Sequence, residues 1–364
     1  MRAILPPLLD ALDRAPVALA RIVDRTGSGP RDTGSAMAVT ASGTVLGSLS
    51  GGCLEAAVVA TAEQVLADRG SALERFAATG EFGVGLPCGG EIEVFTEYLD
   101  RSALALLREL DAAVAAATPV ALVTTLEATP DRTLLYPGDP RLWRHLDRDA
   151  AARLASGRDG IVGSEDTAGA RPRAFVQVFA PPPRMILAGA NDFTRALAVT
   201  AAQLGYHVTV VDARETFTTA ARFPAAHEVV VDWPHRYLDA ERAAGRLDGC
   251  TVVCVLTHDP KFDVPTLISA LDLPELAFLG ALGSRRTHDD RLARLRAEGV
   301  SDSAVARIHS PLGLDLNAHT PEETAISIAA QIVAVRGGGT GRALSTEAGP
   351  IHHRRRAPWR VSES

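Results

Sequence analysis

From Arg184 to Arg336 the chain alternates short, continuous apolar runs with stretches of helical spacing. The apolar runs are 185–188, 208–211, 229–231, 251–256 and 278–282, rich in Val, Ile and Leu. Runs of that length, separated by helices, predict strands buried on both faces and therefore a parallel sheet. Residues 193–204 carry helical spacing and stop at Gly205, a residue type suited to closing a helix. A last helix is predicted from Thr320, with Pro321 in its first turn and Glu323 completing a capping box. Ala325, Ile328, Ala329, Ile332 and Val333 form its expected apolar face.

The first 179 residues are less regular. Residues 17–23, 36–39 and 45–49 predict strands, and Leu54, Ala57, Val58, Ala62, Val65 and Leu66 fall on one helical face. Pro16-Val17-Ala18-Leu19 is echoed by Pro119-Val120-Ala121-Leu122, a weak sign of internal repetition. The prediction is therefore α/β overall: an α+β domain over 1–179 and a Rossmann-like, doubly wound parallel-sheet domain over 184–336. Pro181-Pro182-Pro183 joins them as a stiff linker. Residues 337–364 have no apolar period and are expected to be a disordered basic tail.

Length and charge narrow the function. At 364 residues the chain has room for two domains. It holds 37 basic and 44 acidic side chains, a net charge of −7. The tail contributes five Arg against two Glu, so the body is near −10, which argues against a nucleic-acid groove. No apolar run approaches the ~18 residues of a membrane span, so no membrane is expected. Four cysteines without a CxxC pair fit a cytoplasmic protein with reduced thiols.

Several groups of residues could carry chemistry. In Ser50-Gly51-Gly52-Cys53-Leu54-Glu55 two glycines turn the chain from a strand into a helix. Free N–H groups and the helix dipole there favour a Cys53 thiolate, and Gly51 and Gly52 let the backbone approach a phosphate. A tight turn around a small buried Cys is the competing reading. Cys88-Gly89-Gly90 repeats the theme before a predicted strand containing Ile92, Val94 and Thr96. Cys250 and Cys254, four residues apart on a strand, read as core residues. Gly189 opens a Rossmann-type turn, and Asp212 stands where a ribose hydroxyl is usually held. Asn191 and Thr194 replace the glycine and small residue of that fingerprint, so weak binding of NAD or NADP is expected. His258, Ser284 and Arg285 follow two other strands, and the carboxyl ends of a parallel sheet are where ligands collect. Gly189, Asp212, His258, Ser284 and Arg285 are thus expected to converge, with Arg285 suited to a phosphate or carboxylate. His258-Asp259 is a weaker candidate acid–base pair.

Gly27 to Arg31, Gly47 to Glu55 and Gly85 to Gly90 resemble the amino-terminal domain of the XdhC/CoxI family. Thr257-His258-Asp259, Gly280 to Arg285, Pro311 to Leu314 and Thr320 to Ala325 resemble that family's Rossmann domain. The likeness covers nearly everything but the tail. It departs at Gly189-Ala190-Asn191-Asp192, where the family usually has Gly-Ala-Gly-His, and at Gln331, where it tends to Glu. The resemblance implies a non-catalytic accessory factor that transiently binds molybdenum cofactor (molybdopterin). It would assist sulfuration with a cysteine desulfurase and insertion into xanthine dehydrogenase or a related molybdenum hydroxylase apoenzyme. It further implies that Arg31, the two Gly-Cys loops and the Rossmann strand ends contact the cofactor, and that the protein is a homodimer. A nicotinamide-dependent oxidoreductase and a ligand-free scaffold are the rival classes.

Overall fold

The computed structural model describes residues 1–347 apart from 28–30, 53, 78–89, 140–142, 144, 164–171 and 274–275. The expected tail beyond residue 347 lies outside the described residues. Two compact units are present, Met1–Pro181 and a second from Pro182 onward.

The first unit opens with α1 (Leu5–Leu12), β1 (Val17–Thr26), β2 (Ala36–Thr40), β3 (Val45–Gly47), α2 (Glu55–Asp68), β4 (Ser71–Phe76) and β5 (Glu91–Leu99). It continues with α3 (Leu104–Ala115), β6 (Val120–Thr125), β7 (Arg132–Leu135), α4 (Asp147–Ser156), β8 (Gly160–Val162) and β9 (Ala174–Phe179). The strands form two antiparallel sheets, of order β3-β2-β1-β5-β4 and β7-β6-β9-β8. With β3 set aside, the two sheets have the same connectivity: strand, hairpin partner, helix, edge strand, central strand. The sequence echo is thus structural, because Val17-Ala18-Leu19 and Val120-Ala121-Leu122 open the matching central strands. Registers match as well. Leu19 faces Glu97 as Leu122 faces Gln177, and Arg21 faces Phe95 as Thr124 faces Phe175.

Alternation along these strands sorts the side chains. Val17, Leu19, Val120, Leu122, Leu99 and Phe179 meet α1 and α3 in one core. Ala18, Ala20, Ile22, Met37 and Val39 turn the other way, onto α2. Ala121, Val123 and Val176 turn onto α4. Arg21 sits fully buried amid the matching positions. It donates to Glu97 Oε1 at 2.7 Å, to Thr124 Oγ1 at 2.9 Å and to Gln177 Oε1 at 3.4 Å. Arg132 donates to the other oxygen of Glu97.

The second unit contains β10 (Arg184–Ala188), α5 (Asp192–Gln203), β11 (His207–Val211), β12 (Glu228–Val230), α6 (Pro234–Ala243), β13 (Val252–Val255) and α7 (Pro260–Leu271). It ends with β14 (Phe278–Ala281), α8 (Arg285–Ala297), α9 (Asp302–Val305) and α10 (Pro321–Gly337). All five strands are parallel, in the order β12-β11-β10-β13-β14. That is the doubly wound order, with its switch point between β10 and β13. Met185, Leu187, Val208, Val210 and Cys254 pack under α5 and α10, while Ile186, Val253, Val255 and Leu279 pack under α6, α7 and α8. The capping box at Thr320 forms: Glu323 N–H donates to Thr320 Oγ1, and Thr320 N–H to Glu323 Oε2. Of the predicted α10 face, Ala325, Ile328, Ala329 and Ile332 are buried. Val333 is not, at 54% exposure, because it lies at the edge of the stripe. Among the described residues no helix is long and apolar enough to cross a membrane.

Candidate functional site

The switch point carries a crevice of about 440 Å³. Three strand ends build it. After β10 the chain turns through Ala190, Asn191 and Asp192; after β11 it passes Arg214, Phe217 and Arg222; after β13 it passes Thr257 to Phe262.

Gly189 makes the first turn feasible. Its φ is +117°, and a Cβ there would lie 2.7 Å from Thr257 Cγ2 and 3.1 Å from Thr257 N. Asn191 then caps α5, accepting from Thr194 N–H at 3.0 Å, while its Nδ2 donates to Leu256 O at 2.7 Å. The side chain expected to obstruct a pyrophosphate instead bridges the two strand ends at the switch point. Thr194 is accommodated because its hydroxyl donates to Gly189 O.

Asp212 is buried and both its oxygens are in use. Oδ2 accepts from Ala190 N–H and Arg214 Nη2, and Oδ1 from Arg214 N–H and Nε. Burial alone would raise its pKa; the Arg214 guanidinium and the two N–H groups outweigh that and hold it below the usual carboxylate value. A ribose hydroxyl would have to compete with Arg214 for this group.

Arg214 and its neighbours form a ladder of cations and rings. The Arg214 guanidinium lies 5.2 Å from the Phe217 ring centre and 5.9 Å from that of Phe262. Arg222 stands 5.5 Å from Phe217, and Lys261 5.0 Å from Phe262. Phe217 is 45% exposed, so one ring of the ladder is open to a ligand. Beneath it, Thr257 donates to Asp263, which accepts from the buried Arg291 at 2.8 Å. Arg291 in turn donates to Leu282 O and Ser310 Oγ, fixing the ends of β13 and β14.

The expected convergence is partly corrected. Of the five, His258 lines the crevice, whereas Gly189, Asp212, Ser284 and Arg285 are not among its lining residues. Ser284 caps α8 by accepting from Thr287 N–H, and Arg285 is exposed at the start of that helix. His258 and Asp259 do not act as a pair; Asp259 caps α7 and holds Lys261 at 3.2 Å. The missed residues are Arg214, Phe217, Arg222 and Phe262. An Arg two positions beyond a strand-end Asp, with Phe and Arg close behind, was the available signal.

In the first unit, β1 and β3 run toward one end of their sheet, and β5 starts there, with Thr26 opposite Glu91. Arg31, Gly51, Gly52 and Gly90 belong to chain segments leaving that end. Cys53, Cys88 and Gly89 lie outside the described residues. The N–H groups expected to be free for an anion are engaged by Glu55. Its carboxylate accepts from the N–H groups of Leu49, Ser50, Gly51, Gly52 and Leu54 and from the Ser48 and Ser50 hydroxyls. Burial opposes the charge, but the Ser50, Ser48 and Gly51 donors outweigh it and hold Glu55 far below the usual carboxylate range. This loop is shaped for an anion, and the chain supplies one.

Cys250 and Cys254 are buried free thiols. Burial pushes both up, Cys254 to about 12, which fits core packing rather than chemistry. No cluster able to hold a metal ion occurs among the described residues.

A doubly wound parallel sheet with a crevice at its switch point defines the class: a protein with a Rossmann-type domain. Family comparison is more specific. The XdhC Rossmann domain matches residues 185–332, and the XdhC and CoxI family domain matches residues 11–77. The chain belongs to the XdhC/CoxI family. It is 28% identical to a Bacillus subtilis protein named as a probable xanthine dehydrogenase subunit, over 90% of this chain and 96% of that protein. It is 29% identical to the molybdenum cofactor insertion chaperone PaoD of Escherichia coli, over 87% and 83% respectively. A third relative, YqeB of E. coli, is 26% identical over 93% of this chain, which spans 47% of the length of YqeB. A crystal structure from Bacillus halodurans described as a xanthine dehydrogenase superposes with a TM-score of 0.68 at 25% identity, covering 94% of this chain and 98% of that one.

Proposed function

We propose that the protein is a maturation factor that holds the molybdenum cofactor and hands it to the apoenzyme of a molybdenum hydroxylase such as xanthine dehydrogenase. The observation that carries this reading is the crevice: it offers the open face of Phe217, the guanidinium of Arg222 and mononucleotide-scale room to a flat, phosphate-bearing cargo. Molybdopterin is such a cargo, a fused heterocycle with a terminal phosphate. The names of two relatives support the same direction, one being a molybdenum cofactor insertion chaperone and the other a probable xanthine dehydrogenase subunit. Cys53 and Cys88 of the first unit remain candidates to contact or protect the metal–dithiolene centre, apart from the crevice of the second unit. A cysteine desulfurase supplies sulfur before transfer. The protein works in the cytoplasm as a homodimer. Against a hydride-transfer role stands the commitment of Asp212, the usual ribose anchor, to Arg214.

Two measurements test it. Native mass spectrometry of the protein purified from its host should find a pterin; a nicotinamide, or nothing, would overturn the reading. Cys53→Ala should fold normally by circular dichroism yet fail to activate a co-expressed molybdenum hydroxylase, read as activity per molybdenum atom. Cys88→Ala should give a partial defect. Full activation by Cys53→Ala would remove the thiol from the mechanism.

A further inference from the structure

The charges around the crevice balance pair by pair, with one exception. Asp192 pairs with Arg195 at 3.4 Å, Asp212 with Arg214 at 2.6 Å, and Asp259 with Lys261 at 3.2 Å. Arg222 lines the same crevice and has no carboxylate partner among the described residues. Its Nη1 donates to Phe217 O at 3.2 Å, and its guanidinium is held beside the Phe217 and Phe223 rings at 5.5 and 5.8 Å. One anchoring bond and two rings fix the group, while the rest of its five-donor fork is unspent. A fixed, unpaired guanidinium beside an exposed ring is suited to a phosphate attached to a flat heterocycle.

The opposite wall is unsuited to the phosphate. At the start of α5, where a Rossmann dinucleotide normally sets its pyrophosphate, the Thr194 N–H is already spent on Asn191 Oδ1. The neighbouring Asp192 carboxylate, exposed and paired with Arg195, offers no donor to an anion. The two halves of a dinucleotide would also need the end of β14, and Ser284 and Arg285 there do not line the crevice.

We infer that the crevice takes one monophosphorylated planar heterocycle, with its phosphate on Arg222 and its ring stacked on Phe217, and does not take a dinucleotide across the start of α5. This deepens the maturation-factor reading and rests on it for the identity of the ring, since a pterin phosphate and a nucleoside monophosphate share the chemistry.

The test is a fluorescence titration of the full-length protein with two matched pairs: 6-hydroxymethylpterin and its phosphate ester, and adenosine and AMP. Within a pair, the ester should bind at least about tenfold more tightly than the alcohol, the effect of one charge-assisted contact. Arg222→Gln should abolish that difference, and Arg222→Lys should restore part of it. Phe217→Ala should weaken esters and alcohols alike. NAD should bind no better than AMP. Equal binding of ester and alcohol, insensitivity to Arg222→Gln, or no ester binding below millimolar concentration each overturns the inference. Preference for AMP with exclusion of the pterin ester would leave the inference standing and remove the molybdenum-cofactor reading. A pterin found by native mass spectrometry together with Arg222-independent binding would do the reverse.

Discussion

Asp159 shows how much one carboxylate can impose on the fold. Removal from water pushes its pKa up to about 6, against the Val178 N–H, which donates to it at 2.7 Å. A carboxyl whose folded pKa is raised stabilises the fold while protonated, and that stability is lost as pH climbs from about 4 through 6. A shift of this size is worth about 3 kcal/mol. Asp159→Asn keeps the acceptor for Val178 and cannot ionise. Urea unfolding at pH 5 and pH 8 should therefore show a smaller loss on going to pH 8 in the variant than in the parent. An identical pH dependence would place the titration elsewhere. At Gly189 the constraint is steric. Gly189→Ala puts a methyl against the Thr257 backbone at a φ of +117°, so it should cost about 1–3 kcal/mol and open the crevice floor. A thermal melt together with AMP titration would show both effects.

Among elements, the central strands of the two antiparallel sheets are tied by charge as well as by packing. Glu97 on β5 faces Arg21 and Arg132, and neither it nor Arg21 has access to water. Glu97→Gln keeps the shape but leaves Arg21 buried without its counter-charge, which should destabilise the fold by about 3–5 kcal/mol. Equilibrium denaturation reads this, and an unchanged midpoint would show that Thr124 and Gln177 suffice. These elements also mark what was legible in the sequence. The parallel sheet was readable because strands buried on both faces are written as unbroken apolar runs. Strands β7 and β8 were not. Arg132-Thr133-Leu134-Leu135 and Gly160-Ile161-Val162 are too short to establish a period, and only pairing with β6 and β9 fixes them. The duplication was faintly readable from the echoed Pro-Val-Ala-Leu. The residues that make it a working core, Arg21 with Thr124 and Glu97 with Gln177, differ in chemistry and so left no repeat. At the candidate site, strand ends were identifiable from the glycines and Asp212. The cation–ring ladder was not, because Arg214, Phe217 and Phe262 meet only after the sheet brings two loops together.

Across the whole molecule the acidic body and the basic carboxyl terminus separate cleanly at the end of α10. That helix is closed by Gly338, in the left-handed conformation at φ +70°, whose N–H donates to the carbonyls of Ala334 and Val335. A short turn over Leu344–Thr346 follows, and Arg342 pairs with Glu347. The remaining 17 residues include Arg354, Arg355, Arg356 and Arg360 against one Glu, with no apolar period to build a packed face. Removing them takes the net charge from −7 to −10 while leaving every core residue named above in place. A chain ending at Glu347 should therefore melt cooperatively within a few degrees of the full-length protein and elute later from an anion exchanger. If the arginines instead serve an acidic partner, the shortened chain should keep its ligand affinity but lose salt-sensitive activation of a co-expressed hydroxylase. A drop of ten degrees or more in the melting temperature would show that the terminus packs on the body and contributes to its stability.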